Sequence, residues 1–363
     1  MNSVLINGNI YSPDQLFSGT FSEIDLNSFA RRVLEVIREW GLGRKKFEFK
    51  TSGSTGTPKI ISIGKEKMLT SARSTLEYLQ IKDGKCLLCL DPEFIAGTMM
   101  IIRALVGGMD LIALQPASNP MGDLPADIDI ELSAFVPLQL HEILKDPGSE
   151  EKFKKISNVL IGGADLSGDL ISQLSGFPNR IYHTFGMTET VTDFALKKIS
   201  GGKPDEYYHA VPGIELSTDD RGCLVIIGNI TGNIHFITND RVELIDQKRF
   251  RWLGRVDHII NSGGIKIQVE VIEKKVEGLL RERRIKFPFF ITGIPDQKFG
   301  EKTTIVFESG GETVDKKNIS EILNQRLPAF EMPREWRSIS LFIRTSTGKI
   351  DRIRSLKAST VLA

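Results

Sequence analysis

The sequence predicts an α/β fold with a large N-terminal domain of mostly parallel sheets, a β-rich subdomain and a small α+β C-terminal domain. Three patterns indicate this. Up to Gly213, short apolar runs alternate with helical stretches, which is typical of a parallel sheet covered by helices on both faces. From Gly213, short strand patterns follow one another at Gly and Asp turns. After Asp257 comes a compact mixture of helical and strand patterns.

The N-terminal elements follow from hydrophobic periodicity. A helix is predicted before Gly41, because glycine is a stop signal and apolar residues recur at helical spacing: Leu26, Phe29, Ala30, Val33 and Ile37. The apolar runs that follow predict a strand at 47–49, a helix at 65–80, a strand at 86–90, a buried helix at 95–106, and strands at 111–114, 135–136, 158–161 and 180–183.

The later elements are shorter. The β-rich part is predicted to hold strands at 215–216, 223–227, 233–237, 241–245 and 249–252. The C-terminal part is predicted to hold a helix at 270–284, strands near 289 and 304, a helix at 317–327 and a final strand before Lys349.

Residues 50–59 suit a polyphosphate. Glycine lets backbone N–H groups point at an anion, and Ser and Thr add hydroxyl donors. The loop is not the P-loop of kinases and GTPases, because only two residues separate Gly53 from Gly56 and Thr57-Pro58 precede Lys59. From the residues alone, a Gly-rich surface turn is the alternative. The candidate ligands are Thr51, Ser52, Gly53, Ser54, Thr55, Gly56 and Lys59.

Five further motifs follow in a fixed order. They are Tyr-His-Thr-Phe-Gly-Met-Thr-Glu-Thr at 182–190, Thr-Asn-Asp at 238–240, Gly-Arg-Val-Asp at 254–257, Ser-Gly-Gly at 262–264 and Thr-Gly-Lys-Ile-Asp-Arg at 347–352. From about residue 50 to 352, the series resembles the acyl-adenylate-forming enzymes: acyl-CoA synthetases, peptide-synthetase adenylation domains and luciferases. The resemblance implies an AMP-binding domain over 1–254, trimmed at its N-terminus, a hinge at 255–257 and a mobile domain over 258–363.

The resemblance also implies the reaction and the ATP site. A carboxylate attacks the α-phosphate of ATP to give acyl-AMP and pyrophosphate, and CoA then takes the acyl group. Thr188 would bond the α-phosphate and Glu189 would help to hold Mg²⁺, which prefers carboxylate oxygen; a helix cap is the structural alternative. The adenine contacts would come from Phe185, where tyrosine is more usual, from Gly186, and from the backbone of Gly163 and Ala164.

Further roles are implied nearer the C-terminus. Asp240 would accept the ribose hydroxyls, aided by Arg255, and Lys349 would serve the first half-reaction as the catalytic lysine. Asp257 would be the hinge between the two half-reactions. Gly263, Gly264 and Lys266 would face the pantetheine arm of CoA. From the residues alone, a plain turn with an ion pair and a surface lysine are the alternatives.

The acyl group is the least defined feature. The compact chain and the segments at 136–140 and 158–164 resemble o-succinylbenzoate–CoA ligases of menaquinone biosynthesis. Phe94 stands where many relatives have a His that opens the acyl pocket, and it could pack on an aromatic ring. A second carboxylate on the substrate would need donors, because a buried unpaired charge is costly, and His183 and Thr184 are candidates. The alternative is that they only close the end of a strand.

Other functions stay open at this level. They are another aryl- or acyl-CoA synthetase, an adenylation enzyme that loads a carrier protein, and a non-catalytic nucleotide-binding relic. Expected partners are a small carboxylic acid, ATP and CoA, without nucleic acid or stable membrane insertion, in a monomer or homodimer. Cys86 and Cys89 have redox or metal spacing but lie in an apolar run, which favours burial. With no signal peptide in view, we expect a cytoplasmic protein.

Overall fold

A computed structural model describes residues 3–6, 8–18, 27–51, 59–125, 127–345 and 349–362. The chain forms two compact units. The first comprises Met1–Ser217, Ile226–Phe236 and Ile245–Phe250, and the second comprises Thr218–Val225, Ile237–Leu244 and Arg251–Ala363. The residues proposed as a hinge, 255–257, lie inside the second unit, and both the hinge and the predicted domain limits stay predictions.

The first unit is built on a sheet whose central strands are parallel. Its strands are β1 (Val4–Ile6), β2 (Asn9–Tyr11), β3 (Lys46–Thr51), β4 (Lys59–Gly64), β5 (Lys85–Leu88), β6 (Asp110–Ala113), β7 (Ile130–Phe135), β8 (Ile156–Ile161), β9 (Arg180–Gly186), β10 (Asp193–Lys198) and β11 (Tyr208–Ala210). β3 and β4 form a separate hairpin, and the others follow the order β11-β10-β9-β8-β7-β5-β6-β1-β2. Strands β1, β6, β5, β7, β8 and β9 run parallel, which confirms the predicted α/β class.

Helices alternate with these strands as the pattern predicted. They are α1 (Pro13–Ser18), α2 (Ser28–Gly41), α3 (Lys65–Leu79), α4 (Ile95–Val106), α5 (Pro137–Ile143), α6 (Pro147–Lys154) and α7 (Gly168–Ser175). α2 begins after Asn27, whose side chain accepts a hydrogen bond from the Ala30 N–H at 2.8 Å. It buries the predicted apolar face, of which Leu26 lies outside the described residues.

α4 is apolar almost all round, and most of its residues are buried. Such a helix belongs inside a domain rather than on its surface. One charged side chain, Arg103, is buried with it and is 2% exposed. A buried charge requires a partner, and that partner is described below with the candidate site.

Four further strands belong to the same sheet, and their residues are divided between the two units: β12 (Ile214–Thr218), β13 (Cys223–Gly228), β14 (Phe236–Asp246) and β15 (Arg249–Arg255). The prediction of separate strands at 233–237 and 241–245 was wrong, because β14 is continuous. Thr238, Asp240 and Val242 alternate inwards and are all buried. Because the Thr238 hydroxyl donates to the Leu224 carbonyl at 2.9 Å, polar residues fit within the strand without a turn.

The second unit contains a smaller mixed sheet with helices. Its elements are β16 (Ile259–Ser262), β17 (Ile265–Gln268), α8 (Val269–Glu282), β18 (Phe289–Asp296), β19 (Gly300–Glu308), α9 (Lys316–Asn324), β20 (Glu335–Ile339), α10 (Arg352–Ala358) and β21 (Thr360–Val361). The strand order is β17-β16-β19-β20-β21, and β18 pairs with β19. Apolar residues of α8, α9 and β19 share one buried cluster, including Val276, Leu323 and Phe307.

The sequence did not predict α10. It begins after Asp351, whose carboxylate accepts a hydrogen bond from the Arg354 N–H at 3.0 Å, so the end of the lysine motif is also a helix cap. Among the described residues, no helix is long and apolar enough to cross a membrane.

Candidate functional site

The predicted phosphate loop joins β3 to β4. The two strands pair as far as Thr51 and Lys59, which lie opposite each other, so the loop closes a hairpin. The remaining candidates lie outside the described residues: Ser52, Gly53, Ser54, Thr55 and Gly56. Phosphate binding by this loop stays a prediction.

The carboxyl end of β8 leads into residues 162–164, here called the glycine wall. Gly163 has φ +88°, a conformation that side chains beyond glycine rarely adopt. A Cβ added to Gly162 would lie 2.5 Å from Thr184 Oγ1. The main chain at Gly162 therefore lies so close to the Thr184 side chain of β9 that only glycine fits there.

His183, on β9, is 5% exposed. Its Nε2 lies 3.3 Å from the Ala164 carbonyl oxygen and its Nδ1 lies 2.8 Å from the Tyr208 hydroxyl. Both ring nitrogens therefore have protein partners, which favours the structural alternative for this residue. Its contact with a substrate carboxylate stays a prediction, as does that of Thr184, which is half-buried.

Phe185 is half-buried near the carboxyl end of β9, and this strand pairs with β8, which leads into the glycine wall. Its ring makes edge contacts with Tyr208, Phe194 and Phe250, at centroid distances of 5.2, 5.7 and 5.2 Å. Such edge-to-face pairs fix the ring plane. Phe185 lacks the tyrosine hydroxyl but keeps an aromatic ring at this position.

Thr188 and Glu189 lie on a tight turn between β9 and β10, where Glu189 is exposed. Val191 in this turn has φ +70° and ψ −56°, and the Thr192 N–H donates to the Thr190 carbonyl at 2.9 Å. Positive φ is an outlier for a β-branched residue and costs about 1–3 kcal/mol. The surrounding structure must therefore hold this turn in place.

A buried ion pair anchors the far end of the turn. Arg103 Nη2 lies 2.5 Å from Asp193 Oδ1, and their side chains are 2% and 4% exposed. The hydroxyls of Thr75 and Thr192 also donate to the Asp193 carboxylate, at 3.0 and 2.8 Å. The sequence did not predict this pair. The available signal was a single Arg in an otherwise apolar helix, which indicates that a buried acidic partner is needed.

In the second unit, Asp240 is 5% exposed and accepts a hydrogen bond from Trp252 Nε1 at 3.0 Å. Burial raises the pKa of Asp240, while the charge of Arg255 and the Trp252 hydrogen bond oppose that shift. Arg255 Nη1 lies 3.6 Å from Asp240 Oδ2. The arrangement gives a buried carboxylate able to accept bonds from hydroxyl groups.

Arg255 also forms a two-point ion pair with Asp257, with Nε and Nη2 each 2.8 Å from a carboxylate oxygen. The Arg255 carbonyl accepts from Gln268 Nε2 at 2.8 Å, and the same nitrogen lies 2.7 Å from Glu270 Oε2. His258 Nδ1 lies 2.7 Å from Glu270 Oε1. Gln268 and Glu270 thus hold the segment proposed as the hinge. The sequence did not predict these two contacts.

Lys349 follows residues 346–348, which lie outside the described part of the chain. Its carbonyl accepts the Thr345 N–H at 2.8 Å, and Arg352 beyond it pairs with Glu273 at 2.9 Å. Although the residue is exposed as a whole, reduced hydration of its ammonium group, together with the Arg255 charge, lowers the pKa of Lys349.

Gly263 and Gly264 form the two-residue turn between β16 and β17, with φ +62° and +81°. A turn of this length requires positive φ at these positions, so hairpin geometry alone explains both glycines. Lys266 is exposed on β17. Contact of these residues with CoA stays a prediction.

Phe94 is half-buried at the residue before α4, and its N–H donates to the Asp91 carbonyl at 3.1 Å. The nearby Cys86 and Cys89 are both buried, and burial raises the pKa of each thiol to about 12. Such thiols are inert, which favours a structural role. Among the described residues, no group of three or more His, Cys, Asp or Glu side chains could hold a metal ion.

Comparison with known proteins gives the class. The profile of the AMP-binding enzyme family matches residues 50–236, slightly more than half of the chain. A structure described as an acyl-CoA synthetase (AMP-forming)/AMP-acid ligase II-like protein from Dyadobacter fermentans is 33% identical, with TM-score 0.63, over 93% of this chain and 96% of that one. The chain therefore belongs to the AMP-binding enzyme family.

More specific relatives are more distant. A 2-succinylbenzoate–CoA ligase of Staphylococcus epidermidis is 26% identical over 83% of this chain and 67% of that ligase, and one of Salmonella typhimurium is also 26% identical. This chain spans about two thirds of the length of those ligases. The o-succinylbenzoate CoA synthetase of Bacillus subtilis, solved with OSB-AMP, has TM-score 0.69 over 87% of this chain and 69% of its own, and at 20% identity it shows the fold alone.

Replacing Arg103 with Met should destabilise the protein by about 3–5 kcal/mol, because Asp193 is left charged and buried without its partner. The double variant Arg103→Met/Asp193→Leu should recover much of that loss. Urea unfolding of wild type, both single variants and the double variant measures this. A single-variant loss below about 1 kcal/mol, or a double-variant loss equal to the sum of the singles, would contradict the anchoring role.

Proposed function

We propose that this protein is an ATP-dependent acyl-CoA ligase whose acid is o-succinylbenzoate. In the first half-reaction, a carboxylate oxygen bonds to the α-phosphorus of ATP and pyrophosphate leaves with the electrons of the broken P–O bond. In the second, the CoA thiolate attacks the acyl carbon and AMP leaves. Family membership, the order of the motifs and the names of the curated relatives support this proposal.

One observation carries the proposal furthest. Asp240 is a buried carboxylate with Arg255 Nη1 3.6 Å from its Oδ2, and in the same unit reduced hydration together with the Arg255 charge lowers the pKa of Lys349. Asp257 already balances the charge of Arg255, whereas a bound anion near Lys349 would stabilise its ammonium group. A ribose on Asp240 and a phosphate near the two cations would satisfy all three groups.

The first unit supplies the adenine and metal contacts in this proposal. The purine would lie between the Phe185 ring and the glycine wall, and the Thr188 hydroxyl would donate to the α-phosphate. Glu189 is an exposed carboxylate and therefore fits as one ligand of Mg²⁺, which commonly takes one or two carboxylates and completes its shell with water and phosphate oxygen. When bound, the ion would neutralise phosphate charge.

The second half-reaction would use the other predicted residues. Asp257 would be the point of rotation, and Gly263, Gly264 and Lys266 would lie along the path of the pantetheine arm. The turn at Gly263 and Gly264 places no side chain in that path, and exposed Lys266 offers a cation to the phosphates of CoA.

For the acid, we propose that Phe94 packs on the aromatic ring of the substrate. Its ring carboxylate would accept a hydrogen bond from Thr184, whose hydroxyl lies beside Gly162. In this proposal His183 contributes through its place next to Thr184 rather than through a hydrogen bond of its own, because both of its ring nitrogens already have protein partners, Tyr208 and Ala164. The cytoplasmic location and the oligomeric state stay predictions.

The test is pyrophosphate release over a panel of carboxylic acids, with and without CoA. We expect o-succinylbenzoate to give a much higher kcat/KM than benzoate or fatty acids, and CoA to be converted to its thioester. A preference for a monocarboxylic acid would contradict the proposed substrate, but the proposal of a ligase would stand. Release without thioester formation from free CoA would favour a carrier-loading enzyme, and no release with any acid would overturn the function.

Lys349→Ala should slow pyrophosphate release about 100- to 1,000-fold, because a preorganised positive charge is lost where the α-phosphate is attacked. Thioester formation from supplied acyl-AMP should largely persist. Stopped assays of each half-reaction measure this, with Lys357→Ala as the control for an exposed lysine on α10. Equal impairment of both half-reactions would contradict the assignment.

The first half-reaction should also be lost at alkaline pH. Lys349 acts as a cation, so the rate falls as pH rises through its lowered pKa, earlier than for a freely hydrated lysine. Arg255→Gln removes a nearby positive charge. The fall in rate at alkaline pH, here called the alkaline limb, should therefore move to higher pH, although ATP binds more weakly. Single-turnover pyrophosphate release at saturating ATP measures the limb. An unchanged limb, or a move to lower pH, would contradict the proximity of the two charges.

A further inference from the structure

The proposed function gives no role to the hydrogen bonds of one buried polar network. Tyr208, on β11, is 5% exposed, and its hydroxyl lies 2.8 Å from Nδ1 of His183. His183 Nε2 lies 3.3 Å from the carbonyl oxygen of Ala164, the last residue of the glycine wall. The network therefore joins β11, β9 and the segment that follows β8.

The donors in this network can be assigned from chemistry. A carbonyl oxygen can only accept, so Nε2 of His183 carries the proton and donates to Ala164. In the neutral ring Nδ1 is then an acceptor, and the Tyr208 hydroxyl donates to it. Burial raises the pKa of Tyr208 well above its usual value, which keeps that proton on the oxygen. One tautomer thus satisfies both bonds.

Tyr208 also touches the other side of the proposed adenine slot. Its ring lies 5.2 Å from the Phe185 ring at 64°, and it stacks on Phe250 at 5.3 Å and 17°. The same side chain thus contacts Phe185 directly and reaches the glycine wall through His183. A change at Tyr208 would alter both surfaces together.

We propose that Tyr208 and His183 are positioning residues that set the spacing and orientation of the two surfaces between which a purine ring binds, the Phe185 ring and the glycine wall. This inference rests on the proposed function. It gives His183 a part in recognition of the adenine base of ATP. Neither side chain need touch the nucleotide.

The test compares a ligand that carries the base with one that lacks it. Tyr208→Phe keeps the ring and removes the hydroxyl. We expect its Kd for AMP to rise about fivefold, the effect of one hydrogen bond of about 1 kcal/mol, with the Kd for tripolyphosphate unchanged. Isothermal titration calorimetry measures both values in the absence of an acid. Tyr182→Phe is the matched control, because Tyr182 is a buried tyrosine that neighbours His183 on β9 and packs on Tyr78.

His183 variants separate positioning from simple loss of structure. His183→Leu should weaken AMP binding, and His183→Gln should recover part of it, because an amide can donate to Ala164 and accept from Tyr208. Since the two residues act in series, Tyr208→Phe should add little in the His183→Leu background. Thermal unfolding checks that each variant folds, and the Tyr208→Phe result stands by itself if His183→Leu does not fold.

Three outcomes would overturn the inference. The first is AMP affinity in Tyr208→Phe equal to that of wild type and Tyr182→Phe. The second is an equal loss for AMP and tripolyphosphate. The third is wild-type protein that binds neither AMP nor ATP, which overturns the proposed function as well. Wild-type binding of AMP with an unaffected Tyr208→Phe would overturn this inference alone.

Discussion

The ion pair of Arg103 and Asp193 is the interaction on which the first unit depends. Taking two charges out of water is costly, and the pair is tolerable only because Asp193 also accepts the hydroxyls of Thr75 and Thr192. It fixes the start of β10 against α4. The preceding turn, with Val191 at positive φ, is then held in a conformation that it would not adopt alone. Thr188 and Glu189 are presented on that turn.

The second unit also holds a buried charged group with partners that offset the cost of its burial. Asp240 is buried and its pKa is raised, but a hydrogen bond from Trp252 and the Arg255 charge oppose that rise. Arg255 is in turn held by Asp257 in a two-point pair, and the gap between Arg255 and Asp240 is 3.6 Å. These groups are polar, partly buried and close together, which costs folding energy. Such an arrangement is typical of a ligand site rather than of a structural core.

Much of the fold could be predicted because its signals are local. Helix α4 was predicted from its apolar run with the observed limits, Ile95–Val106. Strand β14 was predicted as two separate strands because buried polar residues such as Thr238 look like a turn in sequence. Candidate residues such as Phe185 were found from the order of motifs, and their roles stay predictions. The Arg103–Asp193 and His183–Tyr208 contacts could not be found, since they join residues 90 and 25 positions apart and nothing local marks the partner.

The proposed function depends most directly on one step, the attack of a substrate carboxylate on the α-phosphate of ATP. Isotope transfer tests that step directly. The acid with the highest kcat/KM is labelled with ¹⁸O in its carboxylate and converted with ATP and CoA, and the AMP and pyrophosphate are analysed by mass spectrometry. Attack at the α-phosphate predicts one ¹⁸O atom in AMP and none in pyrophosphate. Unlabelled AMP, or label in phosphate or pyrophosphate, would contradict an acyl-adenylate intermediate.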